Sequence, residues 1–342
     1  MIIFRCDASA EIGLGHLNRC RGLAFALRKH GVSSSIYGPH QDYQNYDDTY
    51  LFDIWEHSPW GGVNNEIQKN ISLAKHFNTK TFILDDYRVD ERYQKAMKQN
   101  HFKWAQFESR THKPIMANIV INFNPASKEG DYVLRLKNSN IKFLLGPSYA
   151  ILRPEFDRLK PKYLDRPIHR ILLTFGGGDD CGAFIFVLSS LLPRISKNIK
   201  FIVVLSSHNP NNEAIIKWIK EKGDGCVEIK INPTLISSIF NECDLAITNG
   251  GTTIYEVAAC GLPMIIIATA ENQINQAIAW SRLKTVKYLG TIEQIQPIEL
   301  VKNFLLLCNQ KNLHKTFQHE NLVDLKGADR VTKNILNTLL MD

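Results

Sequence analysis

Three observations predict an α/β protein of two domains. The chain has 342 residues, more than one hydrophobic core commonly serves. Short apolar runs alternate with amphipathic stretches from end to end, the pattern of βαβ units on a parallel sheet. Both halves also open with a strand, a glycine turn and a helix. The predicted architecture is two Rossmann-like domains whose parallel sheets face across a cleft, residues 1–148 and 149–342, with the linker at about 146–168.

In the first half, Ile2–Ala8 reads as a buried strand. Leu17–Lys29 reads as a helix with Leu17, Leu23, Ala24 and Leu27 on one face, closed by Gly31. Strands follow at Ser33–Tyr37, Thr81–Leu84, Trp104–Phe107, Asn118–Asn122 and Lys142–Leu145. Residues 39–62 show no clear period and read as a loop or a weakly structured insert. Pro147, Pro154, Pro161 and Pro167 mark the linker.

The second half begins with a strand at Arg170–Phe175, a glycine turn, and a helix from about Cys181. The series continues with strand Lys200–Leu205, a helix from Asn212, strand Cys226–Ile229, helix Leu235–Phe240 and strand Asp244–Thr248. Gly250-Gly251 opens a helix to Cys260, Pro263–Ala268 is a fully apolar strand, and Val331–Leu340 is a last helix.

Composition excludes several classes. Hydrophobic residues at 44% and charged residues at 22% are those of a globular chain. The net charge of +7 comes from scattered basic residues, so neither a nucleic-acid partner nor a membrane is expected; the excess suits a small anion or simple solubility. Seven cysteines without a CxxC pair suggest neither zinc nor redox chemistry and suit a reducing cytoplasm. No metal and no cofactor is expected, and the chain is expected to act as a monomer.

Five motifs can carry chemistry. Gly13-Leu14-Gly15-His16 follows the first strand and opens a helix, whose unpaired N–H groups suit an oxygen-rich ligand. Asn18 replaces the third glycine of a dinucleotide fingerprint. The positive helix end favours a neutral His16 able to accept a proton; the alternative is a histidine that merely caps or packs. Asp85-Asp86-Tyr87 ends a strand, where ligands of open α/β sheets collect. There an Asp can orient His16 and Tyr87 can donate to a sugar or phosphate oxygen, unless one Asp is simply a helix cap.

Gly176-Gly177-Gly178-Asp179-Asp180 offers successive backbone amides to a diphosphate, or is only a tight turn; no Walker sequence is present. Asn249-Gly250-Gly251-Thr252-Thr253-Ile254-Tyr255-Glu256 is the most specific. Gly250 and Gly251 amides and Thr252 and Thr253 hydroxyls can take phosphates while Glu256 accepts from a ribose diol, the alternative being a capping box. Glu271-Asn272-Gln273 ends a further strand and can face a sugar, or is a polar loop. No Asp-x-Asp occurs, so metal-bridged diphosphate binding is not indicated.

With Arg5-Cys6-Asp7-Ala8-Ser9-Ala10-Glu11-Ile12-Gly13-Leu14-Gly15-His16-Leu17-Asn18-Arg19-Cys20, the 250–256 loop and Glu271-Asn272-Gln273 in one order, the chain resembles GT-B fold enzymes, above all the UDP-sugar hydrolases of bacterial pseudaminic acid synthesis. The resemblance covers residues 1 to about 290. It implies metal-independent, inverting hydrolysis of a UDP-2,4-diacetamido-2,4,6-trideoxy-β-L-altropyranose-like sugar at its anomeric carbon, releasing UDP, in a pathway serving surface polysaccharide or flagellin glycosylation. His16 would activate or position water, Tyr87 and Asn272 would contact sugar or water, and the 250–256 loop would hold UDP. Further substrate contacts are expected from Gly13, Gly15, Asp86, Gly177, Gly178, Glu271 and Gln273. The chain departs from the family pattern at Phe107-Glu108-Ser109-Arg110, at Gly178-Asp179-Asp180 and in the 39–62 insert. A GT-B glycosyltransferase with a UDP-sugar donor and a non-catalytic nucleotide-sugar sensor are the other readings.

Overall fold

The computed structural model describes residues 1–9, 13–108, 114–132, 140–159, 167–223, 225–310 and 322–340. The chain divides into two compact units, Met1–Ser9 with His16–Pro154 and Leu325–Asp342, and Ala10–Gly15 with Glu155–Asp324. Of the opening motif, Ala10-Glu11-Ile12 lie outside the described residues, as do Ser109-Arg110 and residues 160–166 of the expected linker.

The first unit holds strands β1 (Ile2–Cys6), β2 (Ser34–Gly38), β3 (Trp55–His57), β4 (Thr81–Asp85), β5 (Lys103–Phe107), β6 (Ile119–Asn122) and β7 (Lys142–Leu145). They form one parallel sheet in the order β3-β2-β1-β4-β5-β6-β7. Its helices are α1 (Gly15–Lys29), α2 (Asp48–Leu51), α3 (Val63–His76) and α4 (Glu91–Gln99). Every residue of β1, β2 and β4 is buried, as expected of parallel strands covered on both faces. Leu17, Cys20, Leu23, Ala24 and Leu27 are the buried stripe of α1, and Arg28 and Lys29 close it where cations complement the helix dipole. The core includes Ile3, Phe82, Leu84, Tyr93, Met97 and Trp104.

The second unit holds β8 (Arg170–Thr174), β9 (Lys200–Leu205), β10 (Val227–Ile231), β11 (Leu245–Thr248), β12 (Met264–Ala268) and β13 (Val286–Thr291) in the order β10-β9-β8-β11-β12-β13, again parallel. Helices α5 (Ala183–Leu191), α6 (Asn212–Lys222), α7 (Ile236–Glu242), α8 (Thr253–Ala259), α9 (Ile274–Trp280) and α10 (Pro297–Asn309) belong to it. Its core includes Ile171, Leu173, Leu188, Phe201, Ile247 and Phe304.

Two features differ from the sequence-based expectation. The 39–62 insert contains α2 and the edge strand β3, which pairs with β2 through Ile36–Trp55, Tyr37–Glu56 and Gly38–His57. Its period is hidden because β3 is only three residues long, with exposure rising along it. The units meet along the chain at Pro154/Glu155, within the expected linker, but the C-terminal helix α11 (Gly327–Ile335), with the π-turn Leu336–Leu340, groups with the first unit and not with the second. Arg330 Nη1 donates to Ser148 O at 2.8 Å there, and Val331, Ile335 and Leu339 are buried. The glycine run at 176–178 is followed by α5 from Ala183, close to the helix start expected at about Cys181.

Strand order reverses between β1 and β4 in one sheet and between β8 and β11 in the other. Such switch points leave a crevice at the carboxyl ends of the strands, where ligands of open α/β sheets bind. Cys6 is level with Asp85 at the first reversal and Thr174 with Thr248 at the second, so four of the five motifs stand beside these points.

Candidate functional site

At the first reversal, α1 delivers His16 to the end of β4. His16 Nδ1 lies 3.1 Å from Asp85 O and 3.0 Å from Asp85 Oδ1. A backbone carbonyl only accepts, so Nδ1 carries a proton, which leaves Nε2 as the position of the lone pair in the neutral tautomer. Nε2 has no hydrogen-bond partner among the described residues. The Tyr87 ring meets the imidazole edge-to-face, centroids 4.6 Å apart. His16 is 5% exposed, a nearly enclosed imidazole whose Nδ1 is committed to Asp85.

Asp85 is also gripped through both oxygens by Arg19, one helical turn beyond His16 on α1. Burial alone would push the Asp85 carboxyl up. The Arg19 charge, the His16 contact and their hydrogen bonds outweigh burial and hold it below the ordinary carboxylate range.

Asp86, by contrast, is spent inside the protein. Its Oδ1 accepts from Arg88 N at 2.9 Å and Arg88 Nε at 2.8 Å, its Oδ2 accepts from Arg88 Nη2 at 2.6 Å, and Arg5 Nη2 stands 3.6 Å from Oδ2. Burial again opposes ionisation, and the bonds from Arg88 with the charge of Arg5 bring this carboxyl down as well. Neither aspartate caps the following helix; Asp90 does, accepting from Tyr93 N at 2.8 Å.

Both carboxyls therefore bind protons more weakly folded than unfolded. The stability they contribute is complete above the unfolded carboxylate value of about 3.9 and is lost as pH falls through their lowered folded values. The thermal midpoint should drop steeply below about pH 4, and Asp85→Asn should flatten that acid limb. An acid limb of unchanged slope in the variant would refute the assignment.

At the second reversal, Thr252 and Thr253 open α8. Their amides and hydroxyls have no hydrogen-bond partner among the described residues, and Thr252 makes no side-chain cap, so the capping-box alternative is not realised. The neighbouring glycine amides are not free. Gly250 N donates to Gln273 Oε1 at 3.3 Å and Gly251 N to Asn249 Oδ1 at 3.2 Å. The Gly250 and Gly251 amides, expected to face phosphates, are here taken by these side chains. Their role is close packing: a Cβ on Gly250 would lie 2.7 Å from Gln273 O. Gln276 completes the brace, donating from Nε2 to Gly250 O at 2.7 Å and Gly251 O at 2.9 Å, while its Oε1 accepts from the buried Tyr255 hydroxyl at 2.8 Å. The loop is held before any ligand arrives.

Gly177 and Gly178 are half-buried beside this loop's strand. Asp180 is fully buried, accepting from Phe184 N, Asn209 Nδ2 and Asn211 Nδ2, which ties the β8 turn to the β9 turn. Gly13 and Gly15 group with this unit, where a Cβ on Gly15 would approach Thr252 Oγ1 to 3.0 Å. Glu256 is buried on α8, Glu271 and Asn272 are exposed, and Gln273 is turned toward Gly250 and Thr269.

Sequence reasoning left open which of the two aspartates orients His16 and named Asp86 as a substrate contact; the structure turns Asp85 toward His16. Two adjacent carboxylates point to opposite sides, and without the register of β4 against β1 the choice is not decidable. It also missed Arg19 and Gln276. Arg19 carried a readable signal, its spacing of three residues from His16; Gln276 carried none.

Known proteins are consistent with this geometry. A family model for lipid-A-disaccharide synthetase matches residues 183–339, less than half of the chain. The spore coat polysaccharide biosynthesis protein of Bacillus subtilis is 27% identical over 342 residues, 95% of each chain. The UDP-2,4-diacetamido-2,4,6-trideoxy-β-L-altropyranose hydrolase of Campylobacter jejuni is 25% identical over 81% of this chain and 94% of its own. A protein of Methanocaldococcus jannaschii without an assigned function is 27% identical over 78% of this chain, which spans about half (55%) of that relative's length. Among solved structures, MurG of Acinetobacter baumannii superposes with a TM-score of 0.65 at 15% identity, covering 98% of this chain and 99% of its own. The chain thus has the GT-B fold, and its sequence is similar to that of a UDP-diacetamido-trideoxy-altropyranose hydrolase.

Proposed function

We propose that the protein hydrolyses a UDP-activated deoxy amino sugar at its anomeric carbon, releasing UDP and free sugar. The observation that carries this reading is His16: an almost enclosed imidazole with Nδ1 committed to Asp85 and Nε2 without a hydrogen-bond partner among the described residues. Nε2 takes a proton from water as the water oxygen bonds to C1. The C1–O bond breaks with its electron pair leaving on UDP, and configuration inverts. Thr252 and Thr253, with amides at Gly177 and Gly178, stabilise the diphosphate charge as it grows, so no metal is needed. Tyr87 and Asn272 contact the sugar or the attacking water. Glu256 and Glu271 complete the polar surroundings of the nucleotide and sugar. The similarity to the Campylobacter hydrolase supports this choice of sugar class.

Transfer to an acceptor hydroxyl is the second reading, favoured by the lipid-A-disaccharide synthetase match over residues 183–339. Incubation with a panel of UDP-sugars and no acceptor separates the two. Hydrolysis gives UDP at full rate, and ¹⁸O-labelled water places its label in the sugar. Label in UDP means attack at phosphorus, and UDP release only after an acceptor is added means transfer; either result overturns the hydrolase reading.

A further inference from the structure

His16 and Arg19 reach the same carboxylate from successive turns of one helix. Asp85 Oδ1 takes His16 Nδ1 at 3.0 Å together with Arg19 Nη2, and Oδ2 takes Arg19 Nε, with Cys20 Sγ at 3.9 Å. The Asp85 side chain is 1% exposed and that of Arg19 15%. The Arg19 guanidinium packs over the Phe107 ring at 4.8 Å, which fixes the plane of its fork. A buried carboxylate whose nearest cation were the imidazole would hold that ring protonated, and a protonated ring takes no proton from water. A permanent guanidinium on the same carboxylate removes that pull.

Among the described residues, the other groups gathered here do not supply this charge. Burial pushes the Cys6 and Cys20 thiols up, so they are neutral. Tyr87 presents its ring to His16. Asp86 is neutralised by Arg88 and Arg5.

We propose that Arg19 is a positioning residue for His16, acting through Asp85: it locks both carboxylate oxygens and neutralises them, so that Asp85 orients Nδ1 without drawing a second proton onto the ring. This deepens the proposed hydrolytic reading and rests on His16 being its base. It assigns to Arg19 a role distinct from substrate contact.

The test measures His16 itself and not only turnover. With the histidine rings isotopically labelled, His16 is titrated by NMR in the full chain, and the pH dependence of kcat/KM for UDP release is measured alongside. In Arg19→Met the His16 titration midpoint rises by about 1–2 pH units, and the acid limb of kcat/KM moves by the same amount with little change in KM. Arg19→Lys, which restores the charge without the fork, returns most of the shift. Arg19→Gln, which keeps a donor toward Asp85, is the gentler substitution at a buried site and must shift the midpoint in the same direction if Arg19→Met does not fold. A folded Arg19→Met or Arg19→Gln with an unmoved His16 midpoint overturns the proposal and leaves Arg19 a structural residue. If no UDP-sugar is turned over, the hydrolytic reading fails while the titration still decides the role of Arg19. Turnover with an unmoved midpoint fails the role and spares the reading.

Discussion

Replacing His16 with glutamine is expected to lower UDP release from the UDP-sugar by about 10²–10⁴-fold in kcat, the usual contribution of a positioned general base, while UDP itself binds as before. The physical reason is the division of labour in the fold. The imidazole stands on β4 through Asp85, whereas the Thr252 and Thr253 amides and hydroxyls, unpartnered among the described residues and suited to a diphosphate, stand at the start of α8. Glutamine has about the length of the imidazole and still donates to Asp85 from its amide, so the packing against Tyr87 and the ion pair to Arg19 persist. What disappears is a lone pair basic enough to take a proton. Kinetics with single turnovers and UDP titration by calorimetry read the two effects separately. A variant that loses UDP affinity and turnover in equal measure would assign His16 to binding, and full activity would remove it from the chemistry altogether.

The second large effect is on stability. Arg5 is completely buried in β1, donating from Nε to Glu66 Oε2 at 2.8 Å and from Nη1 to Cys6 O at 2.7 Å, with Asp86 Oδ2 3.6 Å from Nη2. Its guanidinium lies 5.1 Å from the Tyr37 ring centroid and 5.4 Å from that of Trp60. Arg5→Met keeps the apolar stem but strands the Glu66 carboxylate, 2% exposed, without its cation. Breaking a buried pair by removing one partner costs about 3–5 kcal/mol, which corresponds to a fall of roughly 10 °C in the thermal midpoint for a unit of this size. Arg5→Lys should rescue little, because a point charge cannot satisfy Glu66 and the Cys6 carbonyl at once. A midpoint within about 2 °C of the parent, less than 1 kcal/mol on the same scale, would show that Arg5 is dispensable to the fold.

These two substitutions also separate what was legible along the chain from what was not. The apolar runs of β1, β4, β8, β11 and β12 announce buried parallel strands, because a strand covered on both faces reads as a near-continuous hydrophobic run. Arg5, inside the first of those runs, announces nothing: a lone cation in a strand reads as an edge or an error until Glu66, sixty-one residues away, is folded onto it. The strand β13 was equally hidden, since Lys287, Tyr288 and Gly290 interrupt its apolar pattern and only pairing with β12 makes it a strand.

Local chemistry along the chain determined the α/β class, the two glycine-opened turns, His16 at a helix start and the hydroxyl pair Thr252-Thr253, because helix ends, strand periods and turn residues act over a few positions. Tertiary structure alone decided that Asp85 and not Asp86 meets His16, that Arg19 shares that carboxylate, that Gln273 and Asn249 consume the Gly250 and Gly251 amides, and that the last helix returns to the first unit. Each of these depends on strand register or on a partner distant in sequence, and a donor's direction is set by the backbone around it rather than by its own identity.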